Sequence, residues 1–207
     1  MLFRSQIIDP DAVIRYEAAH PYVSRGGLKL AAALDRFGFS PQGLVCLDIG
    51  ASTGGFTEVL LQRGANRVYA VDVGHGQMHA KIANDPHVEV LEGVNARELS
   101  AAQVPQAPQC VVADVSFISL KLALPNALDL AARGAWAVLL VKPQFEAGRK
   151  ALSSGGIVRD EAVRRAVLDD IAAWIAAKGW RVIGTMESPI AGGDGNREFL
   201  LAAKKPE

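Results

Sequence analysis

The stretch Leu-Asp-Ile-Gly-Ala-Ser-Thr-Gly-Gly-Phe at residues 47–56 decides the fold of this chain. A short apolar run precedes it at residues 44–46, and a helix-like stretch follows at 57–63. A second apolar run at 68–71 ends in Asp72. Strand, glycine turn, helix, strand and acidic residue, in that order, are typical of a nucleotide-type cofactor site.

The composition of the turn indicates which cofactor it binds. A dinucleotide fingerprint requires Gly-x-Gly-x-x-Gly, but Ser52 stands in place of the second glycine and Asp48 comes just before the first, Gly50. A carboxylate at that point would repel a pyrophosphate, whereas it would attract a cationic amino-acid group. The turn therefore favours S-adenosylmethionine (SAM) over a dinucleotide.

Length and composition indicate one compact enzyme domain in a reducing, cytoplasmic setting. The chain has 207 residues, half of them apolar, which is enough for a sizeable core. Its 22 basic and 22 acidic residues cancel, so net charge gives no argument for a nucleic-acid partner. No run approaches the roughly 20 apolar residues of a membrane span, and we see no signal-peptide core. Cys46 and Cys110 lie in apolar runs and are expected to be buried free thiols.

Strand-like and helix-like runs alternate along the chain, which predicts an α/β fold with a mostly parallel sheet and helices on both faces. The predicted strands are 45–49, 68–73, 88–91, 110–115, 135–141, 180–186 and 197–203. The predicted helices are 24–37, 55–63, 76–84, 120–132 and 160–178. The irregular segment 142–159 is long for a compact domain, so we expect it to be functional.

Polar residues follow several of the predicted strands, where parallel sheets bind their ligands. Asp72 is expected to accept hydrogen bonds from a ribose diol, although it could instead cap the next turn. Asp48 is expected near the methionine ammonium, or else bonded to the turn amides, and Asn95 near adenine or merely in a turn. The predicted cofactor-binding residues are Asp48, Gly50, Ser52, Thr53, Gly54, Gly55, Phe56, Asp72, Val73, Asn95 and Asp114.

Lys142 closes an apolar run beside Asp114 and is therefore more than a solvated strand end. Together with Lys29 and Glu198, these residues resemble the Lys-Asp-Lys-Glu tetrad of the FtsJ-like RNA 2′-O-methyltransferases. Longer motifs are similar to those of the TlyA, or hemolysin A-like, family. They are Val-Ser-Arg-Gly-Gly-Leu-Lys-Leu at 23–30, Asp-Val-Ser-Phe-Ile-Ser-Leu at 114–120, Lys-Pro-Gln-Phe-Glu at 142–146 and Gly-Asn-Arg-Glu-Phe-Leu at 195–200.

The resemblance implies a Rossmann-like, seven-stranded SAM-dependent enzyme that methylates the ribose 2′-hydroxyl of cytidine in ribosomal RNA. It implies that Lys29, Asp114, Lys142 and Glu198 are catalytic, that rRNA or ribosomal subunits are the partners, and that no metal is needed. The methyltransferase domain is expected at 23–207. Residues 1–22 are expected to be a tail or linker remnant, because the family usually carries a longer S4-type RNA-binding module there. The sequence does not predict an oligomeric state.

The chemistry requires a group that orients the 2′-hydroxyl and removes its proton during attack. A lysine is protonated at neutral pH unless its surroundings lower its pKa, so Lys142 acts either as a base or as an orienting cation. Phe117 and Phe145 either stack a splayed base or pack in the core. Basic residues that either contact phosphates or are ordinary surface charge are Arg4, Arg15, Arg25, Lys29, Arg149, Lys150, Arg159, Arg164 and Arg165.

Two other functions compete with this hypothesis. A small-molecule methyltransferase of the same fold would have an enclosing apolar lid and no lysine pair around Asp114. A non-catalytic RNA-binding or cytolytic protein that retains the fold would lack at least one tetrad residue, but all four are present.

Overall fold

A seven-stranded sheet carries the fold, and the computed structural model describes it within residues 20–148, 151–153 and 155–207. The strands are β1 Val45–Ile49, β2 Arg67–Asp72, β3 Val88–Glu92, β4 Cys110–Ala113, β5 Trp136–Val141, β6 Arg181–Glu187 and β7 Phe199–Lys204. Their order across the sheet is β3-β2-β1-β4-β5-β7-β6. All neighbours are parallel except β7, which is antiparallel to both β5 and β6. The predicted α/β class and mostly parallel sheet are confirmed.

Helices cover both faces of the sheet. They are α1 Gly26–Phe37, α2 Gly55–Gln62, α3 Ala80–Ala83, α4 Leu120–Ala123, α5 Pro125–Leu130, α6 Pro143–Glu146 and α7 Glu161–Ala177. Buried residues of α1 and α2 belong to one apolar core, whereas those of α4, α5 and α7 belong to another. The sheet therefore lies between two cores, as expected for parallel strands buried on both faces.

Strand β5 shows how the sequence produces these two cores. Successive strand residues point to opposite faces. Trp136, Val138 and Leu140 accordingly belong to the core with α1 and α2. Ala137 and Leu139 belong to the core with α7. All are buried, which explains why this strand reads as a continuous apolar run rather than an alternating one.

The strand order reverses between β1 and β4, and this places the ligand site. From β1 the chain continues to β2 and β3 on one side and then crosses to β4 and β5 on the other. In an open α/β sheet a crevice forms at such a reversal, beyond the carboxyl ends of the strands. The turn after Ile49 and the residues after Ala113 therefore lie side by side at this crevice.

Two predicted helices are shorter than expected. The helix predicted at 76–84 is reduced to α3, because the backbone N–H groups of Gly76, Gln77 and Met78 donate to the Glu92 carboxylate instead of continuing a helix. The helix predicted at 120–132 is divided into α4 and α5. Pro125 has no N–H to continue the hydrogen bonding of α4, but it suits the first turn of α5.

The long segment predicted as irregular contains one helical turn, α6, which starts at Pro143 directly after Lys142. At the end of the chain, β7 begins at Phe199, so Glu198 immediately precedes the strand in which the sequence placed it. The predicted domain start at residue 23 stays a prediction, since residues 1–19 lie outside the described ranges.

The two cysteines behave as the sequence predicted. Cys46 and Cys110 are register partners on adjacent parallel strands, and both are buried free thiols. Burial raises the pKa of the Cys110 thiol well above its ordinary value, which keeps it protonated. Within the described ranges, no helix is long and apolar enough to cross a bilayer.

Candidate active site

The glycine turn after β1 is held against both neighbouring strands. Gly50 has a φ of 83°, in the left-handed region that favours glycine. A Cβ atom there would lie 2.6 Å from the carbonyl oxygen of Asp114, so the turn could not approach β4 this closely with any other residue. The N–H of Gly50 donates to the Val71 carbonyl of β2 at 2.9 Å. The turn is therefore fixed at the sheet reversal.

Asp72 ties this turn to the loop that follows β2. One carboxylate oxygen accepts the N–H of Ser52 at 2.8 Å, and the other accepts the N–H of Gly74, also at 2.8 Å. Ser52 itself has a φ of 47°, which is uncommon for a residue other than glycine. Asp72 thus fixes both loops, as the alternative interpretation predicted, and its partly exposed side chain also borders a cavity.

A cavity of about 600 Å³ lies beyond the ends of β1, β2 and β4, and we call it the larger cavity. Such a volume suits a small-molecule ligand. Predicted cofactor-binding residues in its wall are Gly50, Ser52, Asp72, Val73, Asn95 and Asp114. Asn95 also caps a short helical turn, because its side-chain oxygen accepts the N–H of Arg97 at 3.1 Å.

A second cavity of about 280 Å³, the smaller cavity, adjoins the first. Its wall contains the predicted cofactor residues Thr53, Gly55 and Phe56 together with three members of the tetrad, Lys29, Asp114 and Lys142. Residues that line both cavities are Gly50, Ser52, Asp114 and Ser116. The two cavities therefore meet at the ends of β1 and β4.

Asp48 and Gly54 line neither cavity. Asp48 is completely buried, and one of its oxygens accepts the hydroxyl of Thr57 at 2.7 Å. The other oxygen has no hydrogen-bond partner among the described residues. Burial raises the pKa of Asp48 to about 7 against the Thr57 hydrogen bond, and the nearby Asp114 and Asp72 raise it further. The predicted contact between Asp48 and an ammonium group stays a prediction.

The four tetrad residues form two ion pairs beside the smaller cavity. Lys29 of α1 lies 2.6 Å from Glu198, and both side chains are buried. The ammonium of Lys142 lies 2.5 Å from Oδ1 of Asp114, although the angles are not those of a hydrogen bond. The structure thus brings together all four residues that the sequence grouped, and it pairs each lysine with one carboxylate.

Ser116 is a polar contact that sequence reasoning missed. The ammonium of Lys142 donates to its hydroxyl at 2.9 Å, and Ser116 is exposed where the two cavities meet. The signal in the sequence was its place in the motif at 114–120, two residues after Asp114. Gly192 and Gly193, in the wall of the smaller cavity, were also missed. A Cβ atom on Gly192 would collide with the Glu198 carboxylate, so a larger residue here would have to displace that carboxylate from its position beside Lys29.

Phe117 and Phe145 form an aromatic pair at the edge of the site. Their ring centroids lie 5.0 Å apart. Phe117 is 90% exposed and has a φ of 65°, so the alternative of core packing is wrong for this residue. A φ in the left-handed region is uncommon for a residue other than glycine, and such backbone positions cluster at functional sites.

The predicted basic residues divide into several groups. Arg25 is exposed and lines the smaller cavity. Arg164 instead uses its guanidinium to bond the carbonyls of Val158 and Arg159 at 3.0 and 2.7 Å, so it has a structural role. Arg159 and Arg165 are exposed and line neither cavity, whereas Arg4, Arg15, Arg149 and Lys150 lie outside the described residues.

No group of three or more histidine, cysteine, aspartate or glutamate side chains in the described ranges could hold a metal ion.

Most of the chain matches one known protein family. The family described as FtsJ-like methyltransferase matches residues 22–205. That range contains the glycine turn, Asp72, all four tetrad residues and every strand of the sheet.

Individual relatives agree with this match. The chain is 46% identical over 185 residues to TlyA of Mycobacterium tuberculosis, a 16S/23S rRNA (cytidine-2′-O)-methyltransferase, and covers 69% of that protein. It is 49% identical over 181 residues to YqxC of Bacillus subtilis, of which it spans 64%. These alignments take in 89% and 87% of this chain, respectively.

A solved structure is similar over nearly the whole chain. A Lactococcus lactis protein assigned as a hemolysin superposes with a TM-score of 0.86 at 45% identity. The superposition covers 89% of this chain and 88% of that one.

Proposed function

The chain belongs to the FtsJ-like methyltransferase family, and from that premise we propose that it transfers a methyl group from SAM to the ribose 2′-hydroxyl of a cytidine in ribosomal RNA. One observation carries the proposal. The larger cavity, bordered by Asp72, meets the smaller cavity, bordered by Lys29 and Lys142, at Asp114. A methyl donor in the first and a hydroxyl acceptor in the second would face each other at that junction.

The residues of the larger cavity fit SAM. Its volume of about 600 Å³ lies within the range of small-molecule sites. Asp72 is an acidic residue at the carboxyl end of β2, in the position where cofactor ribose groups are bound in this type of sheet. Asp114 adds a carboxylate to the wall of both cavities, and it favours a cationic amino-acid group over a pyrophosphate.

SAM supplies a methyl group on a sulfonium, and the protein has to bring a nucleophile in line with it. We assign this role to Lys142, because its ammonium contacts Asp114 on one side and the Ser116 hydroxyl on the other. An ammonium has three N–H donors. One donates to Ser116 and a second faces Asp114, which leaves the third for an incoming 2′-oxygen. Positioning of this kind contributes a large part of many rate enhancements.

The proton of the 2′-hydroxyl has two possible acceptors. A neutral Lys142 would accept it as a general base, whereas a charged Lys142 would only orient the oxygen and the proton would pass to water. Both mechanisms place the same nitrogen at the junction of the cavities. The two mechanisms predict different activities for Lys142→Arg.

An RNA acceptor fits the residues around the junction. Arg25, exposed in the wall of the smaller cavity, offers a guanidinium to a phosphate. Phe117, directly after Ser116, offers an exposed ring on which a splayed base could stack. The choice of cytidine and of ribosomal RNA rests on the mycobacterial relative, whose established substrates these are.

Methyl transfer from labelled SAM tests the proposal. The purified chain is incubated with tritiated SAM and bacterial rRNA or ribosomal subunits, and tritium is counted in the recovered RNA. We expect label in the RNA with the unmodified chain and at least about a hundredfold less with Lys142→Ala. Failure to label any rRNA substrate, by protein that binds S-adenosylhomocysteine (SAH), would contradict the proposed reaction.

A further inference from the structure

We infer that Gln77 is a second ribose-binding residue, which works with Asp72 to hold the sugar of the cofactor. The inference rests on the proposed function, because it assumes that the larger cavity binds SAM. Gln77 lies in the wall of that cavity, five residues after the end of β2. No role is predicted for this residue from the sequence.

The side-chain amide of Gln77 lies directly beside the groups that hold Asp72. Its oxygen accepts the hydroxyl of Ser52 at 3.3 Å. Its nitrogen lies against Gly74, close to the position that a Cβ atom would occupy there. Ser52 and Gly74 are the two residues whose backbone N–H groups donate to Asp72. The amide therefore spans the same two loops as the Asp72 carboxylate.

The loop that carries Gln77 is fixed by Glu92 at the end of β3. One Glu92 oxygen accepts the N–H of Gly76 at 2.6 Å, and the other accepts those of Gln77 and Met78 at 3.0 and 3.3 Å. These backbone hydrogen bonds, first that of Gly76, lower the pKa of Glu92, so the carboxylate stays ionised. Three hydrogen bonds to one carboxylate hold the exposed Gln77 near Asp72.

The chemistry of a ribose diol explains why a second residue is useful. Each hydroxyl can both donate and accept, whereas an ionised carboxylate can only accept. Each Asp72 oxygen already accepts one backbone N–H, and its remaining lone pairs suit the hydroxyl hydrogens. The ribose oxygens then require donors. Gln77 Nε2 has two N–H donors, with no acceptor among the described residues, and can supply them.

Binding of SAH to the full chain, measured by calorimetry, tests this inference without turnover. We expect Gln77→Ala to weaken SAH binding about three- to tenfold, the effect of losing one or two neutral hydrogen bonds. Gln77→Met keeps the length of the side chain and should weaken binding to the same extent. Gln106→Ala is the control, since Gln106 is exposed and lines neither cavity, and it should bind SAH normally.

Analogues of SAH that lack the 2′- or the 3′-hydroxyl identify the part of the ligand that Gln77 contacts. If the residue binds the ribose, Gln77→Ala should weaken at least one deoxy analogue much less than it weakens SAH. Equal losses for SAH and both analogues would overturn the inference, as would normal SAH binding by both Gln77 variants. Asp72→Ala distinguishes failure of the Gln77 inference from failure of the proposed cofactor site. If it also binds SAH normally, the proposed cofactor site itself fails.

Discussion

The ammonium of Lys29 lies 2.6 Å from a carboxylate oxygen of Glu198, and the two side chains are 9% and 2% exposed. Lys29 lies in α1, before the first strand, and Glu198 lies directly before the last one, 169 residues later. The pair therefore joins the two ends of the domain beside the smaller cavity. A buried charge loses its hydration and depends strongly on its partner.

Removing the glutamate should destabilise the protein. We expect Glu198→Ala to lower the free energy of unfolding by about 3 kcal/mol, because it leaves the Lys29 ammonium buried without its partner. Urea denaturation measures the change. Glu187→Ala is the control, since its carboxylate lies 3.8 Å from Arg197 on the surface, and it should cost less than about 1 kcal/mol. Equal losses of unfolding free energy in the two variants would show that the buried Lys29–Glu198 pair stabilises the protein no more than a surface pair does.

Lys142 should affect turnover far more than folding. Truncation to alanine removes the group that orients or deprotonates the acceptor hydroxyl, so we expect at least about a hundredfold loss of methyl transfer. Melting temperature and SAH affinity should change little, because Asp114 remains partly exposed to solvent. Lys121→Ala, which breaks a surface pair with Asp170, should retain activity. Full activity in Lys142→Ala would remove this residue from the mechanism.

Lys142→Arg distinguishes the two roles of this residue. Arginine keeps the positive charge but cannot give up its proton near neutral pH. Substantial activity in this variant would favour the orienting role, whereas loss comparable to that of alanine would favour a neutral-lysine base. The comparison is made by single-turnover methyl transfer at saturating SAM.

Phe117 borders the larger cavity, but because its side chain is 90% exposed we expect it to contribute mainly to RNA binding. Stacking of one base on an aromatic side chain is worth roughly 1–3 kcal/mol, so we expect Phe117→Ala to weaken rRNA binding by about 5- to 100-fold. Phe117→Tyr should retain most of the affinity, and SAH binding should change little in either variant. Leu122→Ala is the control, since Leu122 is 60% exposed and apolar but lines neither cavity. Unchanged RNA affinity in Phe117→Ala would exclude the stacking role.

Asp48 should make the stability of the free protein depend on pH. Its folded-state pKa of about 7 lies above the unfolded value of about 3.9, so the folded state binds the extra proton between these values. Stability should therefore fall as pH rises from about 4 to 7 and change no further above that. The full difference is roughly 4 kcal/mol. Asp48→Asn has no such proton. Its free energy of unfolding, relative to that of the unmodified chain, should therefore rise from about pH 4 to about pH 7.

Urea denaturation at several pH values, without cofactor, measures this effect. Asp35→Asn is the control. The hydrogen bond from Arg63 lowers the pKa of the Asp35 carboxyl, so Asp35 stays ionised between pH 5 and 8 and should add no pH dependence there. Parallel stability profiles for Asp48→Asn and the unmodified chain would contradict the assignment of Asp48.

Much of this fold was predictable because its signals are local. The glycine turn, the apolar runs of the strands and the acidic residue after β2 are contiguous patterns, and strand ends differ from prediction by only a few residues. The lengths of α3 and α4 were not predictable. They depend on the Glu92 carboxylate, which competes for backbone N–H groups, and on Pro125, whose position can end one helix or begin another.

The sequence identified the residues of the site but not which of them form ion pairs. Motif spacing identified Lys29, Asp114, Lys142 and Glu198, but not which lysine meets which carboxylate, because that depends on the packing of distant segments. Ser116 lay within the motif at 114–120, but the motif did not show that its hydroxyl contacts Lys142. The burial of Asp48 behind the turn likewise depends on Thr57 of α2, which no pattern in the turn itself reveals.

The position of the transferred methyl group tests the central claim most directly. Ribosomal RNA methylated by the purified chain with tritiated SAM is digested to nucleosides, which are separated and identified by mass spectrometry. We predict that the label is recovered as 2′-O-methylcytidine and that Lys142→Ala abolishes it. Label in a methylated base, or in the ribose of another nucleoside alone, would contradict the proposed transfer to a cytidine 2′-hydroxyl.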